Sequence, residues 1–459
     1  MLAMKFKTFL SIVMAKMTKS LLRLMGRGGT DFPGRVAMKL DHKVLAQCAK
    51  GVKCIVVTGT NGKTTSSRMI EQTLNDLGLS FFCNKSGANL ITGITAEFIT
   101  NSTLSGHCKY DYALIECDEA AFKEVSTMID ARAIVVTNIF RDQLDRYGEV
   151  THTLESIKIG ISHSPKATLC LNADDSMVAS IADDFDNKVL FYGVNVPIYK
   201  KRVQEVSDAP FCIKCKHEYV YDYVTYGHLG GYRCPNCGYH RPDPDIAVTN
   251  VIQSDAAKSV VDILVDGQTY RTTINLPGGY NIYNACGTVA VGKALKFDIP
   301  TVIRSLSEFA PGFGRMEKLV LNGTPIRMIL VKNPAGCNQV LNFVTNVTDP
   351  SVFVVCLNDR DADGTDVSWI WDVDFEQIAE MGDKLKGLYL SGIRAEDMAL
   401  RFKYAGIPED KMKVIKDYET LMKTCAAQDY PVYIMPTYTA MMDLRNKITK
   451  MYDVKNFWE

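Results

Sequence analysis

The chain of 459 residues carries 52 basic and 52 acidic side chains, and 47% of its residues are hydrophobic. This composition excludes a disordered or fibrous chain. The formal net charge of zero argues against a protein dedicated to nucleic acid, whose affinity depends on an excess of Lys and Arg. At about 100–200 residues per domain, the length predicts roughly two to four domains. The 14 cysteines are too sparse for a disulfide scaffold and indicate a reducing compartment.

The N-terminal segment is basic and partly apolar. Its basic side chains are Lys5, Lys7, Lys16, Lys19, Arg23 and Arg27. The apolar run 9–15 is too short to span a bilayer, and no signal-peptide cleavage site follows it. We therefore predict a basic amphipathic helix over residues 5–25, which either packs on its own domain or contacts an anionic membrane surface. Later in the sequence no run of 18 apolar residues occurs, so we expect no membrane-spanning segment.

A phosphate-binding loop is predicted near residue 60, between the β-branched run 53–57 and a helical pattern that ends at Gly78. Backbone amides at a helix N-terminus attract phosphate, a lysine reaches the terminal phosphates, and a Thr hydroxyl can ligate Mg²⁺. The usual pattern has Gly at position 57, where this chain has Val57. We expect Lys63 to face solvent. The candidate nucleotide-binding residues are Thr58, Gly59, Thr60, Asn61, Gly62, Lys63, Thr64 and Thr65.

Further strands are predicted with polar residues at their carboxyl ends. The strand 112–117 leads into Glu116, Asp118 and Glu119, whose hard oxygen atoms beside a phosphate loop are suited to Mg²⁺. Ordinary surface carboxylates are the alternative. The predicted strand 133–137 is followed by the segment 138–148, and the predicted strand 167–171 is followed by the segment 172–175. Because strands alternate with helices, we predict a parallel, doubly wound α/β sheet.

Five motifs together resemble the Mur ligases and folylpolyglutamate synthases. They are Thr58–Thr65, Thr137–Gly148, Leu171–Asp175, Gly279–Ala285 and Phe313–Glu317. In that family ATP phosphorylates a carboxylate, and an amine attacks the acyl phosphate to form an amide. The resemblance implies that Lys63 and the loop around it contact phosphate, and that Thr64 and Glu116 ligate Mg²⁺. It also implies nucleotide contact by Asn281, and phosphate or ribose contact by Arg315.

Three positions depart from the family pattern or leave it open. Gln143 stands where the family usually has His, which argues against a second metal ligand there. Tyr280 replaces the His of another family motif. Lys158 lies near the position where several Mur ligases carry a carbamylated lysine, but a surface helix lysine explains it equally well.

Residues 205–245 form a compositionally distinct insertion with two C-x-x-C pairs. The four cysteines are Cys212, Cys215, Cys234 and Cys237. This spacing is typical of a zinc ribbon, in which a complete sulfur shell makes the metal structural rather than catalytic. A redox dithiol and a nucleic-acid-binding ribbon are the alternatives. The nearby spare ligands are His217, His228 and His240.

The last third of the chain predicts a second α/β unit. Its strands are 327–331, 351–357, 387–391 and 431–435. The acidic segment 358–372 follows the second of them and holds two of the three tryptophans. Its aspartates before the tryptophans are Asp359, Asp361, Asp363 and Asp366. Either these acids are solvated loop residues, or one of them orients an amine or a partner's catalytic group.

The ribbon inside a Mur ligase-like core, together with the pattern D-G-x-D-x-S-W-I-W-D over residues 363–372, resembles the MurT family. The resemblance implies a synthetase subunit that uses ATP to amidate the α-carboxyl of D-glutamate in the lipid II stem peptide, giving D-isoglutamine. Ammonia would come from a partner glutaminase of the GatD type, in a heterodimer. The functional acid maps to Asp366, with Asp363 as its competitor. Independently, the last histidine is His240, so a Cys-His glutaminase cannot lie in the C-terminal unit.

The predicted molecule is a ligase that uses ATP, Mg²⁺ and a structural Zn²⁺. Its segments are an N-terminal helix (1–48), a central domain (49–314), the inserted ribbon (205–245) and a C-terminal domain (315–459). We expect it in the cytoplasm, free or peripheral at the inner face of the plasma membrane, with no nucleic-acid partner. Two rival functions are open: a stand-alone Mur ligase or folylpolyglutamate synthase, which needs no glutaminase, and a zinc-ribbon NTPase switch.

Overall fold

The structure, a computed structural model, describes residues 6–25, 30–84, 88–141, 150–198, 208–254, 258–310, 315–345 and 349–452. The strands of these segments form a nine-stranded sheet, a six-stranded sheet and a separate hairpin. The domain bounds given above stay predictions.

The nine-stranded sheet carries the predicted phosphate loop. Its strands are β1 (Lys53–Thr58), β2 (Phe81–Cys83), β3 (Tyr112–Glu116), β4 (Asp130–Val136), β5 (Thr168–Asn172), β6 (Val189–Val194), β9 (Ile246–Ser254), β10 (Ser259–Val265) and β11 (Gln268–Ile274). They lie in the order β11-β10-β9-β6-β5-β4-β1-β3-β2. The seven strands from β9 to β2 in this order are parallel to their neighbours, which confirms the predicted parallel sheet. Each of the four predicted strands begins and ends within three residues of its predicted bounds. An antiparallel edge formed by β9, β10 and β11 was not predicted.

Helices cover both faces of this sheet. They are α1 (Phe6–Leu24), α2 (Phe32–Leu40), α3 (Val44–Cys48), α4 (Lys63–Asp76), α5 (Ile91–Thr100), α6 (Glu119–Val125), α7 (Val150–Ser162), α8 (Ser176–Ala179), α9 (Tyr280–Ala294) and α10 (Ile299–Glu308). Alternate residues of a strand point to opposite faces, so Val56 joins one hydrophobic core while Ile55 and Val57 join the other. The predicted N-terminal helix is confirmed as α1, and it packs on α2 within its own unit, with Ile12 and Ala15 buried.

The six-stranded sheet confirms the predicted second α/β unit. Its strands are β12 (Arg315–Leu321), β13 (Thr324–Ile329), β14 (Ser351–Cys356), β15 (Leu385–Ser391), β16 (Met412–Val414) and β17 (Val432–Pro436). Its helices are α11 (Pro334–Val344), α12 (Glu376–Ala379), α13 (Ala395–Tyr404), α14 (Tyr418–Cys425) and α15 (Tyr438–Met451). The strands lie in the order β12-β13-β17-β14-β15-β16, and β12 alone is antiparallel to its neighbour.

The hairpin of β7 (Val220–Tyr226) and β8 (Leu229–Arg233) lies in the connection from β6 to β9. The predicted ribbon is therefore an insertion between two neighbouring strands of the larger sheet. This position places it beside the segments that follow β4 and β5, where the candidate site is built.

Candidate functional site

The phosphate loop is the connection between β1 and α4. Gly59 and Gly62 have φ values of 112° and 87°, a backbone conformation that favours glycine. A Cβ atom on Gly59 would collide with Thr137, and one on Gly62 would collide with the side chain of Asn284. The glycines therefore allow a tight loop that neighbouring polar side chains approach closely. The loop leads directly into the N-terminus of α4, where backbone amides are placed to attract an anion.

Lys63 is the first residue of α4, and its side chain is only 11% exposed. The ammonium lies 2.8 Å from Glu119 Oε1 and donates to the carbonyl oxygen of Gly59 at 2.6 Å. The expectation that Lys63 faces solvent is therefore wrong, because the phosphate-loop lysine is held between its own loop and the acid that opens α6. Burial raises the pKa of Glu119, and the charge of Lys63 opposes this rise.

Glu116, the last residue of β3, and Asp118, just after it, have different surroundings from each other and from Glu119. Glu116 Oε1 accepts from the Thr64 hydroxyl at 3.0 Å, and its backbone is held by two hydrogen bonds with the Asn84 side chain. Asp118 caps α6 by accepting from the backbone of Ala120. The hydroxyl and carboxylate of Thr64 and Glu116 are hard oxygen donors that fit Mg²⁺. They border a pocket whose lining includes Ser67, Arg68, Glu71 and Asn84.

Asn138, which lies just after β4, holds the phosphate loop in place through hydrogen bonds. Its side chain accepts from the Asn61 amide at 2.9 Å and donates to the Asn61 carbonyl oxygen at 3.1 Å. Its carbonyl oxygen accepts from the amide of Thr60, and the amide of Phe140 donates to the Thr60 hydroxyl. Our sequence reasoning gave Asn138 no role. The available signal was its position directly after a predicted strand, within a motif shared with the Mur ligases.

Asn284, rather than Asn281, is the helix α9 residue that touches the phosphate loop. Its Oδ1 atom accepts from the Ser66 hydroxyl at 3.2 Å and lies against Gly62. Asn281 is buried behind it, where it accepts from Asn284 and donates to the Pro277 carbonyl oxygen. The nucleotide contact expected of Asn281 stays a prediction. Both residues lie in one quoted motif, but sequence spacing did not show which of them faces the loop.

Polar contacts between described residues connect the phosphate-loop region to the C-terminal unit. Asn333 Nδ2 donates to Asn61 Oδ1 at 3.1 Å, while Asn333 Oδ1 caps α11. Arg141, after β4, forms an ion pair with Asp372 at 3.0 Å. Arg315 begins β12, but its side chain lies outside the described residues, as does all of Gln143.

The two candidate acids of the C-terminal segment differ in what they contact. Asp363 is buried and accepts from both the backbone amide and the hydroxyl of Thr439 at the start of α15. Asp366 is exposed, and one of its oxygens accepts from the Ser368 amide. Asp363 therefore stabilises a helix N-terminus. Asp366 presents a carboxylate to solvent, and the exposed Trp371 follows five residues later in the same segment.

The four predicted ribbon cysteines come together. Their sulfur atoms all lie within 4.8 Å of one another, with Cys212 and Cys237 at 3.6 Å and Cys215 and Cys234 at 3.4 Å. Four sulfurs bound to one tetrahedral Zn²⁺ at ~2.3 Å would lie about 3.8 Å apart, so the cluster fits that ion. A hydrogen bond with the Asn236 side chain lowers the pKa of Cys215 to about 6, which favours its thiolate. Although a hydrogen bond with the Tyr239 backbone lowers the pKa of Cys237, burial and hydrogen bonds with the other thiols raise it to about 12.

None of the predicted spare histidines belongs to the cysteine cluster in the described part of the chain. His228 is buried instead beside Asp175, and His240 Nδ1 lies 2.8 Å from the Gly238 carbonyl oxygen. Lys158 pairs with Asp184 at 2.9 Å, a contact that an unmodified, positively charged lysine makes. Carbamylation of Lys158 stays a prediction.

Comparisons with known sequences agree with the predicted family. Residues 57–226 match the family model of the Mur ligase middle domain, and residues 330–441 match that of the MurT ligase C-terminal domain. The lipid II isoglutaminyl synthase (glutamine-hydrolyzing) subunit MurT of Streptococcus pneumoniae is 33% identical, over 98% of this chain and 99% of the relative. The subunit of the same name from Staphylococcus aureus is 31% identical, over 96% of this chain and 98% of the relative.

A comparison with solved structures supports the fold. The pseudomurein peptide ligase type C of Methanothermus fervidus superposes with a TM-score of 0.67 at 22% identity, and the match covers 90% of this chain and 81% of that one. Identity this low shows the fold alone. Because whole-length similarity above 30% accompanies a MurT-specific C-terminal match and a Mur ligase fold, the chain belongs to the MurT family of Mur ligase-related proteins.

Proposed function

We propose that the chain is the ATP-using synthetase subunit of a lipid II isoglutaminyl synthase. It activates the α-carboxyl of D-glutamate in the lipid II stem peptide as an acyl phosphate, which ammonia converts to the amide of D-isoglutamine. The observation that carries this proposal is the whole-length similarity to two MurT subunits, joined to an assembled phosphate loop in which Lys63, Thr64 and Glu116 converge.

The loop residues have distinct roles in this proposal. The amides of residues 59–65 and the ammonium of Lys63 hold the phosphates, so Lys63 exchanges its contact with Glu119 for one with phosphate. Thr64 and Glu116 hold Mg²⁺, which, when bound, supplies positive charge beside the phosphoryl group in transfer. Asn281 and Arg315 complete the nucleotide site. Contacts between the two units, such as Asn333 with Asn61, help exclude water from the reactive acyl phosphate.

Asp366 is the acid that we propose to act where ammonia arrives or where the glutaminase docks. Its carboxylate is exposed, whereas that of Asp363 is already occupied by Thr439. The nitrogen donor would be a GatD-like glutaminase in a heterodimer with this chain. The absence of any histidine after His240 supports this division of labour, because the C-terminal unit lacks the base of a Cys-His glutaminase.

We further propose that the four cysteines hold one structural Zn²⁺, since a full sulfur shell leaves no position for substrate. Lipid II as substrate places the enzyme in the cytoplasm, at the inner face of the plasma membrane. No helix in the described ranges has the length and apolar character needed to cross a bilayer.

Two rival functions make different products. A stand-alone Mur ligase or folylpolyglutamate synthase would join an amino acid to its substrate, and a ribbon NTPase switch would only hydrolyse ATP. The near-complete coverage of the MurT relatives favours the amidating enzyme over both rivals.

The test is to co-express the chain with a candidate glutaminase and to incubate the complex with lipid II, ATP and glutamine. Mass spectrometry should show one carboxyl converted to a carboxamide, and the conversion should need ATP together with glutamine or an ammonium salt. A product extended by an amino acid would favour the stand-alone ligase. ATP hydrolysis that nucleic acid stimulates, with lipid II unchanged, would favour the switch.

A further inference from the structure

Helix α1 turns its large apolar side chains away from the protein. The residues on its buried face are the small or polar Thr8, Ser11 and Ala15, together with Ile12. The exposed apolar residues of the helix are Phe6, Phe9, Leu10, Met14, Met17, Leu21 and Leu24. Among them, Phe6, Met17, Leu21 and Leu24 are 78%, 62%, 59% and 86% exposed. This is the reverse of the usual surface helix, which buries its apolar face.

The exposure of this face does not come from a loosely attached helix. The Ser11 hydroxyl donates to the Ala37 carbonyl oxygen at 2.8 Å, and the Lys16 ammonium donates to the Ser102 carbonyl oxygen at 2.5 Å. Lys19 donates to the Thr100 hydroxyl at 2.8 Å. Polar contacts to α2 and to the end of α5 therefore fix which face of α1 points outward.

The outward apolar residues form one continuous stripe. Positions 6, 10, 17, 21 and 24, with the half-buried Val13 between positions 10 and 17, are spaced by three or four residues, so at 3.6 residues per turn they lie on the same side of the helix. At ~1.5 Å per residue the stripe is about 27 Å long. A stripe of this size matches an interfacial helix that lies along a surface.

The charge around the stripe selects the chemistry of its partner. Lys7 and Arg23 are exposed on α1, and the sequence adds Lys5 and Arg27, which lie outside the described residues. The first acidic residue of the chain is Asp31. A second copy of this face would bring like charges together, whereas an anionic bilayer offers both apolar depth and negative headgroups.

We propose that the outward face of α1 binds the surface of an anionic phospholipid bilayer, with the helix axis parallel to the membrane plane. The proposal rests on the proposed function in one respect, since a lipid-linked substrate is met at that surface. Helix α1 packs on α2, and α2 packs on α5. Just before α5, the carbonyl oxygen of Asn89 accepts a hydrogen bond from the amide of Asp118. Helices α1, α2 and α5 thus connect the proposed membrane-binding face to the acidic residues at the end of β3.

The test is a vesicle flotation assay with the full chain and its glutaminase partner. The probes are vesicles of phosphatidylcholine alone and of phosphatidylcholine with phosphatidylglycerol. The test variant combines Met17→Glu with Leu21→Glu. The control is Val320→Glu, which places one glutamate, against two in the test variant, on an apolar residue of similar exposure, 70%, in the six-stranded sheet. Circular dichroism and melting temperature check that both variants fold.

We expect wild type and Val320→Glu to float with the anionic vesicles, and the double variant to bind about tenfold or more weakly. A second variant, Lys7→Gln with Arg23→Gln, should weaken binding to anionic vesicles selectively. Three results would overturn the proposal: wild type that ignores anionic vesicles, a double variant that still floats, or α1 substitutions that instead dissociate a dimer or the glutaminase. Since flotation needs no turnover, failure here is separable from failure of the amidation assay.

Discussion

His228 in the ribbon hairpin lies against Phe140, with their ring centroids 4.5 Å apart. Phe140 is also the residue whose amide donates to Thr60 in the phosphate loop. Asp175, 3.4 Å from His228 Nε2, accepts from the amide of Ile139 in the same segment. The ribbon therefore packs directly on residues 138–140, the segment that forms hydrogen bonds with the phosphate loop.

This packing predicts that loss of the proposed ribbon zinc weakens the proposed ATP binding as well as stability. Chelation, or Cys212→Ser, should lower the melting temperature by several degrees, because structural zinc contributes folding free energy. The KM for ATP should rise more than kcat falls, since the residues that touch phosphate remain present.

The matched control is Cys425→Ala, which changes a buried cysteine outside the cluster. Metal analysis should find one zinc per chain in wild type and in Cys425→Ala, and less in Cys212→Ser. A zinc-free variant with wild-type melting temperature and KM for ATP would show that the ribbon has neither role.

Lys63→Met should separate the proposed catalytic role of the phosphate-loop lysine from its structural role. Loss of its charge should lower kcat by about 10²–10³. The substitution also removes the ion-pair partner of Glu119, which should lower the free energy of unfolding by about 1–3 kcal/mol. The loss is limited because burial raises the pKa of Glu119 and favours its neutral form.

The double variant Lys63→Met with Glu119→Gln distinguishes these two effects. Denaturant unfolding should show that stability largely returns, while amide formation stays low. If the double variant regained activity, the contact between the two residues, rather than phosphate binding by Lys63, would carry the function.

Asp363 and Asp366 form a natural pair for comparison, since the same substitution tests opposite roles. Asp363→Asn should lower the free energy of unfolding by about 1–3 kcal/mol, because it removes the charge from the two contacts with Thr439. Asp366→Asn should leave stability unchanged, because the side chain is exposed, and should reduce amidation from glutamine strongly.

Repeating the Asp366→Asn assay with an ammonium salt locates its action. Rescue by ammonium would place Asp366 at the glutaminase side, and absence of rescue would place it at the amidation step. Wild-type amidation by Asp366→Asn with both nitrogen sources would exclude either role.

The parts of the fold that could be predicted from sequence are those set by local pattern. Buried β-branched runs such as 53–57 gave the parallel strands, and the two C-x-x-C pairs predicted the cysteine cluster. The antiparallel edge was missed because β9 starts as a short buried run and continues as a partly exposed polar stretch, and β11 is mostly polar and partly exposed, so neither shows a clear strand pattern.

The parts of the site that could not be predicted depend on contacts between distant residues. Glu119 holds Lys63 from 56 positions away, and nothing in a phosphate-loop motif identifies that partner. Asp363 and Asp366 are the same residue type in one loop, so only the position of Thr439 in space distinguishes them. Motif spacing fixes which residues are candidates, whereas tertiary packing fixes what each one contacts.

Glu317 and Arg445 form a buried ion pair at 2.8 Å that joins β12 to α15. Arg445→Met should destabilise the protein by about 3–5 kcal/mol, because it leaves a carboxylate buried without its counter-charge.

Burial already raises the pKa of Glu317, and the charge of Arg445 opposes this rise, so the substitution should raise that pKa further. A carboxyl whose folded pKa lies above its unfolded value loses stability as pH rises through the folded pKa. The variant should therefore approach wild type below the unfolded pKa of Glu and fall furthest behind at neutral pH. Urea unfolding across this pH range measures both effects, with Glu409→Gln, at an exposed pair with Lys403, as the control that should change little. A cost for Arg445→Met that does not vary with pH would show that Glu317 stays charged without its partner.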